Sequence, residues 1–205
     1  MVKSHLVRPT EWPIQQAADA LSVEISSSAR AALGAWLDRL VEWNQKVDLT
    51  AARNTDELCD LMLADALVLA REIPPGARVV DVGTGAGAPG LALAMIRPDL
   101  SLTLVEPLVK RVSFMRTVLG AGATPNVQIV HGRGEALNTR FDVAISRATL
   151  APEEWLQLGA TLAPSVWVLL AREQAPESAA ASVEKSVEYI WPFTGVARRA
   201  VLYRA

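Results

Sequence analysis

The stretch that most restricts the fold is Asp81-Val82-Gly83-Thr84-Gly85-Ala86-Gly87-Ala88-Pro89-Gly90. Four glycines fall within eight residues, between a β-branched run at 78–82 and a segment at 89–97 that Pro89 suits as a helix start and Pro98 stops. Glycine permits positive φ and lets a ligand lie directly on the backbone. A helix that opens behind such a loop points its free amide N–H groups back at it. Strand, glycine loop and helix in this order mark a ligand-binding βα unit rather than a structural turn.

The rest of the chain continues the alternation. Strands are expected at 101–106, 127–131, 141–146 and 165–171, with helices at 108–119, ended by the glycines at 120 and 122, and at 152–162. A helix near 175–187 and two closing strands, 187–192 and 199–203, bring the count to seven strands. Strands separated by helices imply an α/β, Rossmann-like fold with a mostly parallel sheet covered on both faces. Such sheets bind ligands outside the carboxyl ends of their strands, at the switch point.

Residues 26–72 read as helical, with an N-cap in Ser26–Ser28 and a stripe of Leu33, Trp36, Leu37, Leu40 and Val41. Asn54 with Glu57 has the spacing of a capping box. Leu58, Met62 and Leu69 then share a face with Asp65, a carboxylate where an apolar side chain is expected, either buried and hydrogen-bonded or facing a substrate. Pro74-Pro75-Gly76 separates a helical cap (1–75) from the α/β unit (76–205), the two forming one compact body. A chain of 205 residues, 51% hydrophobic, fits one such body. Its apolar runs are too short to cross a membrane, its start lacks a signal-peptide pattern, and its one cysteine, Cys59, suits a reducing compartment, so a cytoplasmic protein is expected. No His/Cys/Asp cluster has metal-ligand spacing, and no metal is expected.

The loop contains a literal GxGxxG from Gly85 to Gly90, so a dinucleotide has to be weighed. An anion at the strand end, Asp81, gains nothing for a pyrophosphate, and there is no second domain to hold a hydride partner. S-adenosylmethionine is cationic at sulfur and at its amino group, and carboxylates near the loop favour it by Coulomb attraction. Glu106 ends the second strand 25 residues after Asp81, where a carboxylate can accept from a ribose diol. Gly134 and Glu135, after the third strand, can border the adenine or form a surface turn.

Several separated motifs then occur in order: Trp43-Asn44 with Asp48-Leu49-Thr50, the glycine loop, Lys110-Arg111-Val112 with Phe114, Gly132-Arg133-Gly134-Glu135, and Phe141-Asp142 with Ser146-Arg147-Ala148. Across residues 40–148 the chain resembles the small-subunit rRNA guanine-N7 methyltransferases, also called glucose-inhibited division protein B. The resemblance implies a seven-stranded class I methyltransferase with an N-terminal helical cap, S-adenosylmethionine as cofactor, and one guanine of 16S rRNA as acceptor. It also implies cofactor contacts at Gly83, Ala88, Gly134, Glu135 and Arg147. Departures fall on the acceptor side: Asp48 where the family has Asn, Met62 and Asp65-Ala66 where it has a His and an Asp-Ser pair, Ala88 in place of a bulky residue, and Ala171-Arg172-Glu173 in place of Lys-Gly.

The net charge of −2 leaves any RNA contact to local basic groups. Lys110, Arg111 and Arg147 are the substrate candidates, with Arg147 placed to serve both ligands. Their alternative role is a solvated helix face and strand ends. His131 is expected to be structural, and no residue is assigned as a general base. The expected partner is 16S rRNA or the small ribosomal subunit, met by a monomer. A methyltransferase of the same fold acting on a small molecule or protein, or a non-catalytic cofactor- or RNA-binding domain, are the alternatives.

Overall fold

The structure, a computed structural model, describes residues 6, 9–121 and 125–205. Strands β1 (Arg78–Val82), β2 (Ser101–Glu106), β3 (Val127–His131), β4 (Val143–Arg147), β5 (Ser165–Leu170), β6 (Ser182–Ile190) and β7 (Ala197–Arg204) form one seven-stranded sheet in the order β3-β2-β1-β4-β5-β7-β6. The first five pair in parallel, and β7 lies antiparallel between β5 and β6. The switch point is therefore β1–β4, where successive crossovers turn in opposite directions and leave a crevice at the carboxyl ends.

Helices α1 (Ile14–Ala20), α2 (Ser27–Asn44), α3 (Thr55–Cys59), α4 (Asp65–Glu72), α5 (Gly90–Ile96), α6 (Val109–Ala121) and α7 (Pro152–Leu162) complete the chain. Alternate strand residues divide between two cores: Val79, Leu102 and Leu104 pack in one with α1, α2, α4 and α5, while Val80, Val82 and Val105 pack in the other with α7. Burial of both faces explains why β1, past the exposed Arg78 at its start, carries valine at 79, 80 and 82 with Asp81 as the one buried polar residue.

The N-terminal helical region is less continuous than the sequence suggests. After α2 the Asn44 side chain accepts from Leu49 and Thr50 N–H, which stabilises a loop instead of more helix. Ser26 caps α2 through Ala29 N–H, and Asn54 caps α3 through Glu57 N–H. The Glu57 carboxylate reaches back to Arg53 N–H, one residue beyond the N-cap amide that a reciprocal capping box uses. Between α3 and α4 lies a π-helical turn, Asp60–Ala64.

The helix expected near 175–187 is not formed: residues 171–181 carry no helix, and β6 begins at Ser182. The alanine-rich run at 179–181 has no apolar helical face to bury, whereas Ser182–Ile190 gains a ladder against β7, interrupted only by a register shift between Val183 and Lys185. Tertiary pairing overrides local propensity there. Gly120 sits inside α6 instead of ending it. The second glycine expected to stop that helix, at 122, lies outside the described residues. Among the described residues no helix is long and apolar enough to cross a membrane.

Candidate functional site

The glycine loop leaves β1 through Gly83, whose φ of +72° is one an L side chain rarely adopts; a Cβ there would lie 2.1 Å from Thr149 Oγ1. Gly85 has φ +64°, and a Cβ added to it meets nothing within 4 Å, so its outer side is open space. Gly83 and Thr84 N–H donate to Val105 O, tying the loop to β2. From the other side Trp36 of α2 donates its indole N–H to Ala86 O at 3.2 Å. Ala88 is buried and joins Pro89 through a cis peptide bond.

The two strand-end acids take different places. Asp81 is fully buried, and its Oδ2 accepts from Gly90 N–H at 2.8 Å, so the carboxylate holds the start of α5 against β1. Among the described residues its Oδ1 and the neighbouring Thr84 Oγ1, both buried, have no hydrogen-bond partner. Burial raises the Asp81 pKa to about 6, against the opposing pull of the Thr84 hydroxyl and then of the Gly90 amide. Glu106 accepts from Gly85 N–H through Oε2 and from Leu108 N–H through Oε1, both at 2.9 Å. Arg111 Nη1 lies 3.7 Å from Glu106 Oε2, while Lys110 is exposed on the first turn of α6.

A cavity of about 220 Å³ opens at the carboxyl ends of β1, β2 and β3. Gly83, Gly134, Glu135 and Arg133 line it together with Pro107, Thr149 and Leu150. Gly134 is constrained by contact: a Cβ would lie 2.8 Å from Val82 Cγ1. Of the residues expected to hold the cofactor, Gly83, Gly134 and Glu135 line this cavity, while Asp81, Gly85, Ala88, Glu106 and Arg147 do not; an adenosyl ligand is compatible with the open space beside the left-handed Gly85 and with the Glu106 carboxylate at the strand end next to it. Sequence reasoning missed Thr149 and Leu150; they follow Arg147 in the turn after β4, but nothing in their residue types announces a ligand.

Arg147, at the end of β4, donates from Nη1 to Asp65 Oδ2 at 2.9 Å and to Leu61 O of the π turn. Asp65 Oδ1 accepts from Tyr189 OH at 2.7 Å and Trp191 Nε1 at 3.3 Å. The odd carboxylate on an apolar stripe is thus a buried junction of four groups. Burial, with the Asp65 charge, drives the Tyr189 pKa well above its usual value. A second cavity, about 180 Å³, opens beside this junction over β4, β5 and the β6–β7 hairpin. His131 is exposed on the rim of β3, with Nε2 3.1 Å from Pro107 O. Met62 and Ala66 are buried in the helical core and line neither cavity. Among the described residues no group of three or more His, Cys, Asp and Glu could hold a metal ion.

The family model described as rRNA small subunit methyltransferase G (GidB) matches residues 29–189. The Ribosomal RNA small subunit methyltransferase G of Anaeromyxobacter dehalogenans is 38% identical over 147 residues, covering 69% of this chain and 68% of that protein. Its namesake from Halorhodospira halophila is 39% identical over 132 residues, 64% of this chain and 63% of that protein. Among solved structures, PH1948 from Pyrococcus horikoshii superposes with a TM-score of 0.53 at 17% identity, covering 94% of this chain and 98% of that one. TrmN from Thermus thermophilus gives 0.52 at 18% identity over 73% of this chain and 48% of that one. At these identities the structures speak for the class I methyltransferase fold alone. With the family model covering most of the chain and the sheet order, glycine loop and strand-end acids in place, the chain belongs to the rRNA small subunit methyltransferase G family.

Proposed function

We propose that the chain transfers a methyl group from S-adenosylmethionine to N7 of a guanine in 16S rRNA. The observation that carries this reading is the Gly83–Gly85 turn, held between the Glu106 carboxylate and the Trp36 indole, opening on a cavity at the switch point of the sheet. S-adenosylmethionine, when bound there, supplies an electrophilic methyl group on a sulfonium. Gly83, Gly85 and Ala88 form the backbone of its seat, Glu106 accepts from the ribose, and Gly134 and Glu135 border the adenine. Asp81 acts through the α5 amide that it holds. Arg147 serves both the cofactor and the acceptor base.

Guanine N7 carries a lone pair and no proton, so the residues have to align the acceptor rather than deprotonate it, and positioning alone is worth several kcal/mol. In A-form RNA the major groove that holds N7 is deep and narrow, which favours an unpaired or splayed-out guanine. Lys110 and Arg111 contact phosphate, so RNA binding weakens with salt. Residues 1–75 serve as a cap that braces the glycine loop, and residues 76–205 as the cofactor-binding unit. The partner is 16S rRNA or the small ribosomal subunit in the cytoplasm, met by a monomer.

Mass mapping of 16S rRNA nucleosides from cells with and without the gene tests the reading. One 7-methylguanosine is expected to disappear with the gene. An unchanged methylation map, or loss of a methyl on an exocyclic nitrogen or ribose oxygen, overturns it.

A further inference from the structure

The cavity over β4 and β5 is set against the cofactor cavity across the segment 147–150, with Leu150 lining both. Three aromatic side chains form part of its wall, and each has its polar atom engaged within the protein: Trp155 Nε1 donates to Trp167 O, and Tyr189 OH and Trp191 Nε1 donate to Asp65. They therefore offer the cavity ring surface and no competing donor. Polar capacity remains at three places: Arg147, the turn after β5, and Arg198, whose guanidinium lies 3.8 Å from the centre of one face of the Trp191 ring. On the cofactor side, Arg147 uses Nη1 for Asp65 and Leu61, and no partner takes its Nε or Nη2 among the described residues.

At the end of β5 the turn bearing Glu173 is built in advance. Its Oε2 accepts from Ala171 N–H at 2.8 Å and Arg172 N–H at 3.0 Å, and Arg199 Nη2 donates to its carbonyl at 3.2 Å. Its own backbone N–H first, then the Ala171 and Arg172 amides and the Arg198 charge, hold the carboxyl below its usual pKa, so it is ionised at neutrality. Oε1 is left without a hydrogen-bond partner among the described residues.

We propose that Glu173 is the residue that specifies guanine: its carboxylate accepts from N1–H and the N2 amino group of an acceptor base whose O6 faces Arg147 and whose rings lie against Tyr189 and Trp191. This deepens the reading of the chain as a guanine-N7 methyltransferase and rests on it. With N7 turned to the cofactor side, O6 follows it to the Arg147 end and the N1/N2 edge reaches the opposite end. Oε2 already accepts from two amides, so the two lone pairs of Oε1 are the ones left for N1–H and the N2 amino group. Adenine in the same pose sets its N6 amino donor against the Arg147 donors and its N1 acceptor against the carboxylate. Both contacts become repulsive, so the same pair of residues attracts guanine and rejects adenine.

The test uses full-length chain and reconstituted small-subunit rRNA in which the mapped target carries guanosine or inosine, which lacks only the N2 amino group. For the native chain, kcat/KM on inosine is expected to fall at least tenfold, the effect of losing a hydrogen bond to a charged group. Glu173→Ala and Glu173→Gln should lower the guanosine rate by a similar factor and bring guanosine and inosine together. Their affinity for S-adenosylmethionine, measured by calorimetry, should match that of the native chain, which places the loss with the acceptor. Equal native rates on the two bases, an undiminished gap in the variants, or a parallel loss of cofactor affinity each overturns the assignment. A native chain that methylates no guanine overturns this inference together with the proposed function, whereas methylated guanine without an inosine gap overturns this inference alone.

Discussion

Arg147 Nη1 lies 2.9 Å from Asp65 Oδ2, joining the end of β4 to a helix that begins 82 residues earlier. The Asp65 side chain is 2% exposed and that of Arg147 19%, so solvent screens the pair little. Removing one partner of such a pair leaves an uncompensated charge. Asp65→Ala is expected to destabilise the fold by about 3–5 kcal/mol, read from denaturant midpoints. Asp65→Asn, which keeps an acceptor for Tyr189 and Trp191, should cost less. Equal stabilities of Asp65→Ala and native chain would show that the junction contributes nothing net.

Glu106→Ala removes the acceptor of Gly85 and Leu108 N–H and the carboxylate assigned to the ribose. Affinity for S-adenosylmethionine is expected to weaken by about 1.5–3 kcal/mol. An unchanged dissociation constant by calorimetry means that the ribose is held elsewhere.

Gly85→Val forces a β-branched residue to φ +64° and fills the open side of the loop. The backbone strain amounts to roughly 1–2 kcal/mol, so the chain should still fold. Cofactor binding should be lost altogether, because the new side chain occupies the cradle. A folded variant that binds normally would place the ligand off this loop.

Asp81 gives stability an unusual pH slope. Its carboxyl titrates near pH 6 in the folded chain, above its ordinary value of 3.8, because burial disfavours the charge. Between those pH values the folded state holds a proton that the unfolded state has released, so stability falls as pH rises from about 4 to 6. Above pH 6 both states are ionised and the full cost, on the order of 3 kcal/mol, persists. Acidifying from pH 7 to 5 should therefore stabilise the native chain relative to Asp81→Asn. Parallel melting curves for the two proteins over that range contradict the assignment.

Methyl transfer to N7 requires no deprotonation, so kcat on ribosomal RNA should be flat between about pH 6 and 8. His131→Ala should leave that profile unchanged, as suits a ring on the rim of β3 beside Pro107 O. A one-proton rise near neutrality that disappears in His131→Ala would make the histidine a base.

The parallel half of the fold was legible because its signals are local. Asp81, the glycines and Pro89 fix strand, turn and helix within ten residues, and Glu106 follows at the end of the next strand. The second cavity was not legible. Tyr189 and Trp191 alternate on one face of a late segment, yet their importance comes from Asp65, more than 120 residues away. Glu173 looked like a departure from a family motif, and only the hydrogen bonds of its turn reveal a fixed acceptor. The misread helix at 175–187 failed for the same reason, since β7, which pairs with that segment, comes later in the chain.

Asp60, in the π turn, accepts from the Phe193 and Thr194 amides and the Thr194 hydroxyl, 133 and 134 residues downstream. During synthesis the acids at 60 and 65 leave the ribosome long before the hairpin that neutralises their hydrogen-bonding demand. A nascent chain can close β1 to β4 around the glycine loop, but the wall of the neighbouring cavity has to wait for the last strands. Contacts 124 to 134 residues apart in sequence cost loop-closure entropy before they reward it, so the wall of the second cavity depends on long-range closure in a way that the glycine loop does not. A chain truncated before Tyr189 would thus retain the glycine loop without its neighbour's wall.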